Sequence, residues 1–284
     1  MHELILLPRP KHWVKNLLIF LPSILDGNLF INLNWIHLSA GFVSFSLVAS
    51  SGYIFNDIRD IDEDRQHPVK RNRSLASATI KVRYAFIYSL VLLFCGLGIS
   101  VFLGLKPLGI LILYSSVNWI YSIVIKSVRF LDIIILTGFY IIRLVYGATI
   151  ANVELTGWFI ITIAFACLAL STNKRQILCS INTKDKTPGR TYTKQDIIPL
   201  QIFAIGFGII SLVFLNIHSY FVLLVRNPYS IMIINLIAVY LIMSYFDTSK
   251  DLSDDPVERI LKNPTIIIMT LILFGFYVFE LLRS

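Results

Sequence analysis

Apolar residues run along this chain in blocks rather than in stripes. A helix needs ~20 mostly apolar residues to cross a bilayer. Nine such blocks are legible, near residues 16–32, 35–57, 82–103, 107–125, 130–151, 156–173, 196–216, 219–246 and 264–282. Pro22, Asp26, Gly27 and Asn28 interrupt the first, and an Arg226-Asn227-Pro228 triplet near the start of the eighth can split it. Leu4 to Leu7 is too short an apolar core for a signal peptide, and Pro-Arg-Pro follows at once. With no low-complexity linker or polar domain between the blocks, the pattern predicts an all-α polytopic membrane protein, residues 1–284 forming a single transmembrane domain.

Composition agrees. Of the 284 residues 56% are hydrophobic and only 15% charged, against about 25% charged in soluble domains, and mean hydropathy is +0.73. Three scattered cysteines, Cys95, Cys167 and Cys179, exclude a disulfide scaffold. A net charge of +8 would suit a nucleic-acid binder in a soluble chain, but the placement of the charges gives another explanation. The N-terminal segment and the loops after the even-numbered spans hold 21 of the 25 Lys and Arg residues. Lys106, Arg226 and Arg283 fall on the other side, and Arg143 lies inside the fifth span. Positive loops stay cytoplasmic, so the N-terminus is expected inside the cell membrane and, with nine spans, the C-terminus outside.

The same basic side carries ordered acids. Asn56-Asp57-Ile58-Arg59-Asp60-Ile61-Asp62-Glu63-Asp64 closes the second span. Positions 56, 60 and 64, or 57, 60 and 64, share one helical face. Like charges at that spacing repel unless a cation sits among them, and Mg²⁺ suits such a set because it takes one or two carboxylates plus water and substrate phosphate. A solvated charged helix end is the plainer alternative. Asp62 and Glu63 lie off this face and read as surface residues. His67-Pro68-Val69-Lys70-Arg71-Asn72-Arg73 follows directly. Carboxylates succeeded by cations describe a site for a Mg²⁺-bound polyphosphate, with ordinary positive-inside charge as the alternative; His67 reads as structural.

Asn56-Asp57-x-x-Asp60-x-x-x-Asp64 resembles the first aspartate-rich motif of the UbiA superfamily of intramembrane prenyltransferases. The resemblance implies a nine-helix transmembrane bundle of UbiA type, with a Mg²⁺-diphosphate site at the cytoplasmic helix ends, Asn56, Asp57, Asp60 and Asp64 holding the metal and the three aspartates acting in catalysis. Most aromatic prenyltransferases of the superfamily carry a second acidic motif after the sixth helix. Here that region contains Asp185 and, further on, Asp196, unpaired, among five cations, Lys174, Arg175, Lys184, Lys186 and Arg190. A basic cluster cannot ligate a metal but can hold a bare phosphate.

The N-terminal Arg9-Pro10-Lys11-His12-Trp13-Val14-Lys15-Asn16 is similar to the opening of the decaprenyl-phosphate phosphoribosyltransferase branch, as are Tyr53-x-x-Asn56-Asp57, His67-Pro68-x-Lys70-Arg71, Tyr121-Ser122-x-x-x-Lys126 and Lys174-Arg175. An acidic residue expected soon after Lys174-Arg175 is absent from Gln176 to Cys179. For the N-terminal string, an interfacial anchor through Trp13 is a compatible alternative. The branch implies transfer of a 5-phosphoribosyl group from phosphoribosyl diphosphate to a polyprenyl phosphate. Lys15, Asn16, Tyr53, Lys70, Arg71 and Arg73 are then candidates beside the donor. Tyr121, Lys126, Lys174, Arg175, Arg190 and Tyr192 are candidates for the lipid phosphate or the ribose 5-phosphate. Arg143 is costly mid-span and functional by default; it either binds a phosphate deep in the cavity or pairs with an acid such as Asp132. Tyr and Phe residues of the fourth, fifth and eighth spans are candidates to line a prenyl channel, lipid-facing aromatics being the simpler reading. The competing functions are an aromatic prenyltransferase using a prenyl diphosphate and, from another class, a lipid-phosphate or ion transporter. Homo-oligomerisation is left open.

Overall fold

The computed structural model describes residues 6–26, 29, 34–66, 70–181, 191–221, 228–246 and 262–283. His67, Lys184, Asp185, Lys186, Arg190 and Arg226 lie outside the described residues. The chain divides into two compact units, the first formed by residues 1–132 and 142–153 and the second by 133–141 and 154–284.

In the first unit a 3₁₀ helix, Pro10–Ile19, precedes α1, Leu21–Leu25. Then come α2, Asn34–Arg59, α3, Ile61–Gln66, a 3₁₀ turn at Lys70–Asn72, α4, Val82–Leu103, α5, Leu105–Ile123, and a second 3₁₀ turn at Ile125–Ser127. Helix α6, Leu131–Ala151, contributes its C-terminal half. The second unit holds the middle of α6, then α7, Gly157–Ile181, a 3₁₀ turn at Lys194–Asp196, α8, Ile197–Phe221, α9, Pro228–Phe246, and α10, Pro264–Arg283.

Eight of the nine expected helices are therefore present among the described residues, and five of them are long and apolar enough to cross a membrane by length and composition. The block at 16–32 is the exception. Among the described residues it holds the end of the 3₁₀ helix and the short α1, since Pro10 and Pro22 favour helix starts over helix interiors and the buried Asn16 ties the segment sideways to α2. Within the block at 219–246, the described residues belong to α8 up to Phe221 and to α9 from Pro228 onward. Helix α7 continues to Ile181, past the expected end at 173. Lys174, Arg175 and Gln176 are good helix formers with no Gly or Pro beside them, so this stretch is helix and not loop.

Helix α2 is the centre of the first unit. Its small buried residues, among them Gly41, Ser44, Ser46, Ala49, Ser50, Ser51 and Gly52, let neighbouring backbones come close. Ser44 Oγ donates to the carbonyl of Gly96 on α4 at 2.7 Å. The α4–α5 turn runs through Gly104 at φ 116°, a conformation that only glycine adopts readily. In α6, a Cβ on Gly147 would lie 1.9 Å from the carbonyl oxygen of Ile19, so the N-terminal segment presses directly on that helix backbone.

Helices α7 and α8 pair along their lengths in the second unit through Trp158–Phe214, Phe165–Phe214 and Phe165–Phe207 ring contacts of 6.0, 5.8 and 6.0 Å. Asn216 on α8 and Asn235 on α9 exchange two side-chain hydrogen bonds, at 2.8 and 2.9 Å. Asp196 caps α8's approach by accepting from the backbone N–H of Thr193 at 2.9 Å, a local task consistent with its having no acidic partner in the sequence.

Candidate functional site

The acidic face survives the end of α2. Asp60 sits between α2 and α3, yet helical hydrogen bonding runs through it, Asp60 N to Asn56 O at 3.0 Å and Asp64 N to Asp60 O at 2.7 Å. The predicted spacing is therefore kept in space. Asn56 donates from Nδ2 to Asp60 Oδ2 at 2.9 Å. Asp57 and Asp64, two turns apart, are buried. Asp62 is exposed and pairs with Arg65 across 3.3 Å at the surface, an arrangement of little energetic weight; Glu63 is exposed as well. Both therefore stand apart from the site as expected.

The segment after α3 returns to the same point. Leu75 joins a buried cluster with Leu7, Ile54, Ala85 and Leu92, and Arg65 Nε holds the carbonyl of Ala76 at 3.1 Å. This docking brings Arg73 back over the acids. Its Nη1 donates to Asp57 Oδ1 at 3.1 Å and to Asp64 Oδ2 at 2.7 Å. Lys126, just past α5, pairs with Asp60. Burial pushes the Asp64 carboxyl above its ordinary range, and the charge of Arg73 opposes that shift without cancelling it.

The N-terminal string lies along α2. Arg9 pairs with Asp57 and faces the Tyr53 ring at 5.6 Å. Trp13 Nε1 donates to Ser50 Oγ at 3.0 Å, and Ser50 Oγ is within 2.9 Å of the carbonyl of Pro8. Asn16 Nδ2 donates to Ser46 Oγ at 2.8 Å. Lys15 Nζ contacts His12 Nδ1 at 3.3 Å, and the His12 ring lies 5.5 Å from Tyr53. The contact points 46, 50, 53 and 57 form one stripe of α2. Residues of the string are thus brought to the acidic cluster. Arg9 is the contributor that the residue pattern alone did not single out. Its only signal was membership of the Arg-Pro-x-x-Trp-x-Lys-Asn string.

Arg143 is buried and donates from Nε to Asn16 Oδ1 at 2.8 Å. Its guanidinium lies 4.9 Å from the Phe45 ring centre and 5.4 Å from that of Tyr114. An amide oxygen and two π faces thus surround the mid-helix charge, a type of arrangement that neither sequence expectation included. Of the remaining candidates, Lys70 is half-buried on its 3₁₀ turn, Arg71 is exposed, and Tyr121 is buried in the last turn of α5. Lys174, Arg175 and Tyr192 belong to the second unit. Arg175 is buried there beside the buried Asn173 and Gln176. The Tyr192 ring packs in a cluster with Ile133, Cys179 and Leu200.

Among the described residues no three His, Cys, Asp or Glu side chains form a ready-made metal cage. Asp57 and Asp64 nevertheless each aim an oxygen at a single cationic nitrogen. Two convergent carboxylates suit Mg²⁺, which takes one or two such oxygens and fills its other positions with water and phosphate.

A profile of the UbiA prenyltransferase family matches residues 27–256. The chain is 32% identical over 171 residues to decaprenyl-phosphate phosphoribosyltransferase of Mycolicibacterium smegmatis, an alignment covering 59% of this chain and 54% of that protein. It is 30% identical to nodulation protein NoeC of Azorhizobium caulinodans, over 81% of this chain and 76% of that protein. The chain spans about half the length of several curated relatives that it matches. Its fold is similar to that of a UbiA homologue from Archaeoglobus fulgidus solved with GPP and Mg²⁺, with a TM-score of 0.72 at 16% identity, covering 99% of this chain and 100% of that one. The apolar helices and the family match together describe an integral membrane protein. The chain belongs to the UbiA prenyltransferase family.

Proposed function

We propose that this protein transfers the 5-phosphoribosyl group from phosphoribosyl diphosphate to a polyprenyl phosphate and releases diphosphate. The observation that carries the reading is the Asp57–Arg73–Asp64 bridge, where two buried acids meet a partly exposed cation at one helix end. Such a site suits a leaving group that arrives as a metal diphosphate. The similarity to decaprenyl-phosphate phosphoribosyltransferases supports the choice of donor and acceptor. The helix end is taken to face the cytoplasm, a reading that the distribution of Lys and Arg supports.

Asp57 and Asp64 would hold Mg²⁺, with Asn56 and Asp60 completing the donor face. When bound, the ion neutralises the diphosphate and lowers the cost of its departure. Arg73 and Lys70 hold the donor's phosphate oxygens, and Arg9 keeps Asp57 oriented while Tyr53 and Lys15 flank the donor. The acceptor is already an anionic phosphate oxygen, so no side chain needs to remove a proton. Its oxygen bonds to C1 of the ribose as the bond from C1 to the diphosphate oxygen breaks, through an oxocarbenium-like state. Catalysis then rests on orientation and on charge stabilisation at the leaving group. We assign Lys174, Arg175, Arg190 and Tyr192, with Lys126 and Tyr121, to the remaining phosphates.

Purified protein supplied with Mg²⁺, a polyprenyl phosphate and labelled phosphoribosyl diphosphate should yield a labelled lipid. A parallel assay offers a prenyl diphosphate and an aromatic acid. No labelled lipid in the first, with prenylation in the second, overturns the reading.

A further inference from the structure

Arg73 engages the two buried carboxylates that a divalent cation at this site would use. One nitrogen, Nη1, contacts Asp57 Oδ1 at 3.1 Å and Asp64 Oδ2 at 2.7 Å, and the two carboxylates are only 6% and 7% exposed. A guanidinium and a divalent cation repel at such separations, so the two compete for these carboxylates. Resting on the proposed reading of this site, we propose that Arg73 is an internal competitor of the divalent cation. It clasps Asp57 and Asp64 until the cation binds, then moves from the carboxylates to the donor's diphosphate.

Two observations single out Arg73 among the cations present. Asp57 is also paired with Arg9, so it keeps a counter-charge when Arg73 departs. Arg9 is the fixed partner, with its backbone at φ 53° and its guanidinium against the Tyr53 ring. Arg73 instead follows directly on a single 3₁₀ turn, Lys70–Asn72, with its side chain 30% exposed. A long side chain placed so can change rotamer without moving a helix. Its planar fork suits the paired oxygens of a diphosphate, whereas only Nη1 engages the two carboxylates. The exchange involves no bond making and keeps every charge in the site paired.

The proposal predicts effects of opposite sign from one substitution. Mn²⁺ binding is measured by electron paramagnetic resonance on the purified full chain, with and without inorganic diphosphate. In Arg73→Gln the metal alone should bind about tenfold tighter than in the wild type, since a competing cation worth roughly a factor of ten is gone. The enhancement of Mn²⁺ binding by diphosphate should shrink by about the same factor. Arg73→Lys, which keeps a charge but loses the fork, should fall between the two and remains informative if the glutamine variant does not fold. Equal or weaker Mn²⁺ binding in these variants, while the wild type binds it, overturns the exchange. A wild type that takes up no Mn²⁺ even with diphosphate overturns the metal reading itself, and the exchange with it.

Discussion

Arg143 donates from Nε to Oδ1 of Asn16 at 2.8 Å, joining the middle of α6 to the N-terminal 3₁₀ helix. The same Asn16 donates to Ser46 on α2. A buried charge thus fixes the segment that delivers Arg9 to Asp57. Replacing Arg143 by Ala leaves a buried amide oxygen without this donor and removes two cation–π contacts. The expected cost is about 1–3 kcal/mol. Thermal unfolding in detergent should register it, and trypsin should cut faster at Lys11 and Lys15 in the variant. Unchanged proteolysis would show that Arg143 does not restrain this segment.

Gly147 tests the same packing by volume. A Cβ there meets backbone at 1.9 Å, whereas a Cβ on Gly98 or Gly109 meets nothing within 4 Å. Gly147→Ala should destabilise by roughly 1–3 kcal/mol or more. Gly98→Ala should be neutral or slightly stabilising through better helix propensity. Melting temperatures of the two variants, compared side by side, check the expectation.

Asp60 accepts from Asn56 and pairs with Lys126. Asp60→Asn should lower turnover by on the order of 10²-fold, the scale seen when one electrostatically stabilising group is removed from a reacting centre. It should also blunt the dependence on Mg²⁺. Turnover and Mg²⁺ dependence that survive the change would move the site away from this helix end.

The Asn216–Asn235 pair offers a test in the second unit. Changing Asn216 to Leu leaves the Asn235 amide without this partner, and changing Asn235 leaves Asn216 with its bond to the Leu212 carbonyl only, while changing both removes the mismatch. A double-mutant cycle should return a coupling of about 0.6 kcal/mol, the usual size for hydrogen bonds between membrane helices. Strict additivity would mean that the two bonds contribute nothing to the α8–α9 contact.

The acidic face was legible because its information is local. Residues 56 to 64 sit on one helix, and helical spacing alone puts them together. Helix α4 was legible at both ends, Val82–Leu103, since a continuous apolar block has few other solutions. At the start of the block at 16–32, hydropathy does not register that Asn16, and Trp13 just before it, find partners 30 and 37 residues away. Arg9–Asp57 and Lys126–Asp60 are equally remote in sequence, 48 and 66 residues apart. Only folding brings such pairs together. Arg143 was recognised as out of place in a span, but its aromatic neighbours are ordinary apolar residues that carry no mark in the sequence.

The stripe of α2 that holds the N-terminal string has a further consequence. Ser46 and Ser50 meet that string on the rod that also bears Asp57, and Asn56 and Asp60 extend it. Each residue step along an α-helix turns its side chain by about 100°. If α2 seated itself one residue out of phase, every one of these contacts would swing away together. The accuracy of the candidate site is therefore inherited from the rotational setting of a single rod, and the small residues buried between Gly41 and Gly52 act as the gauge for that setting.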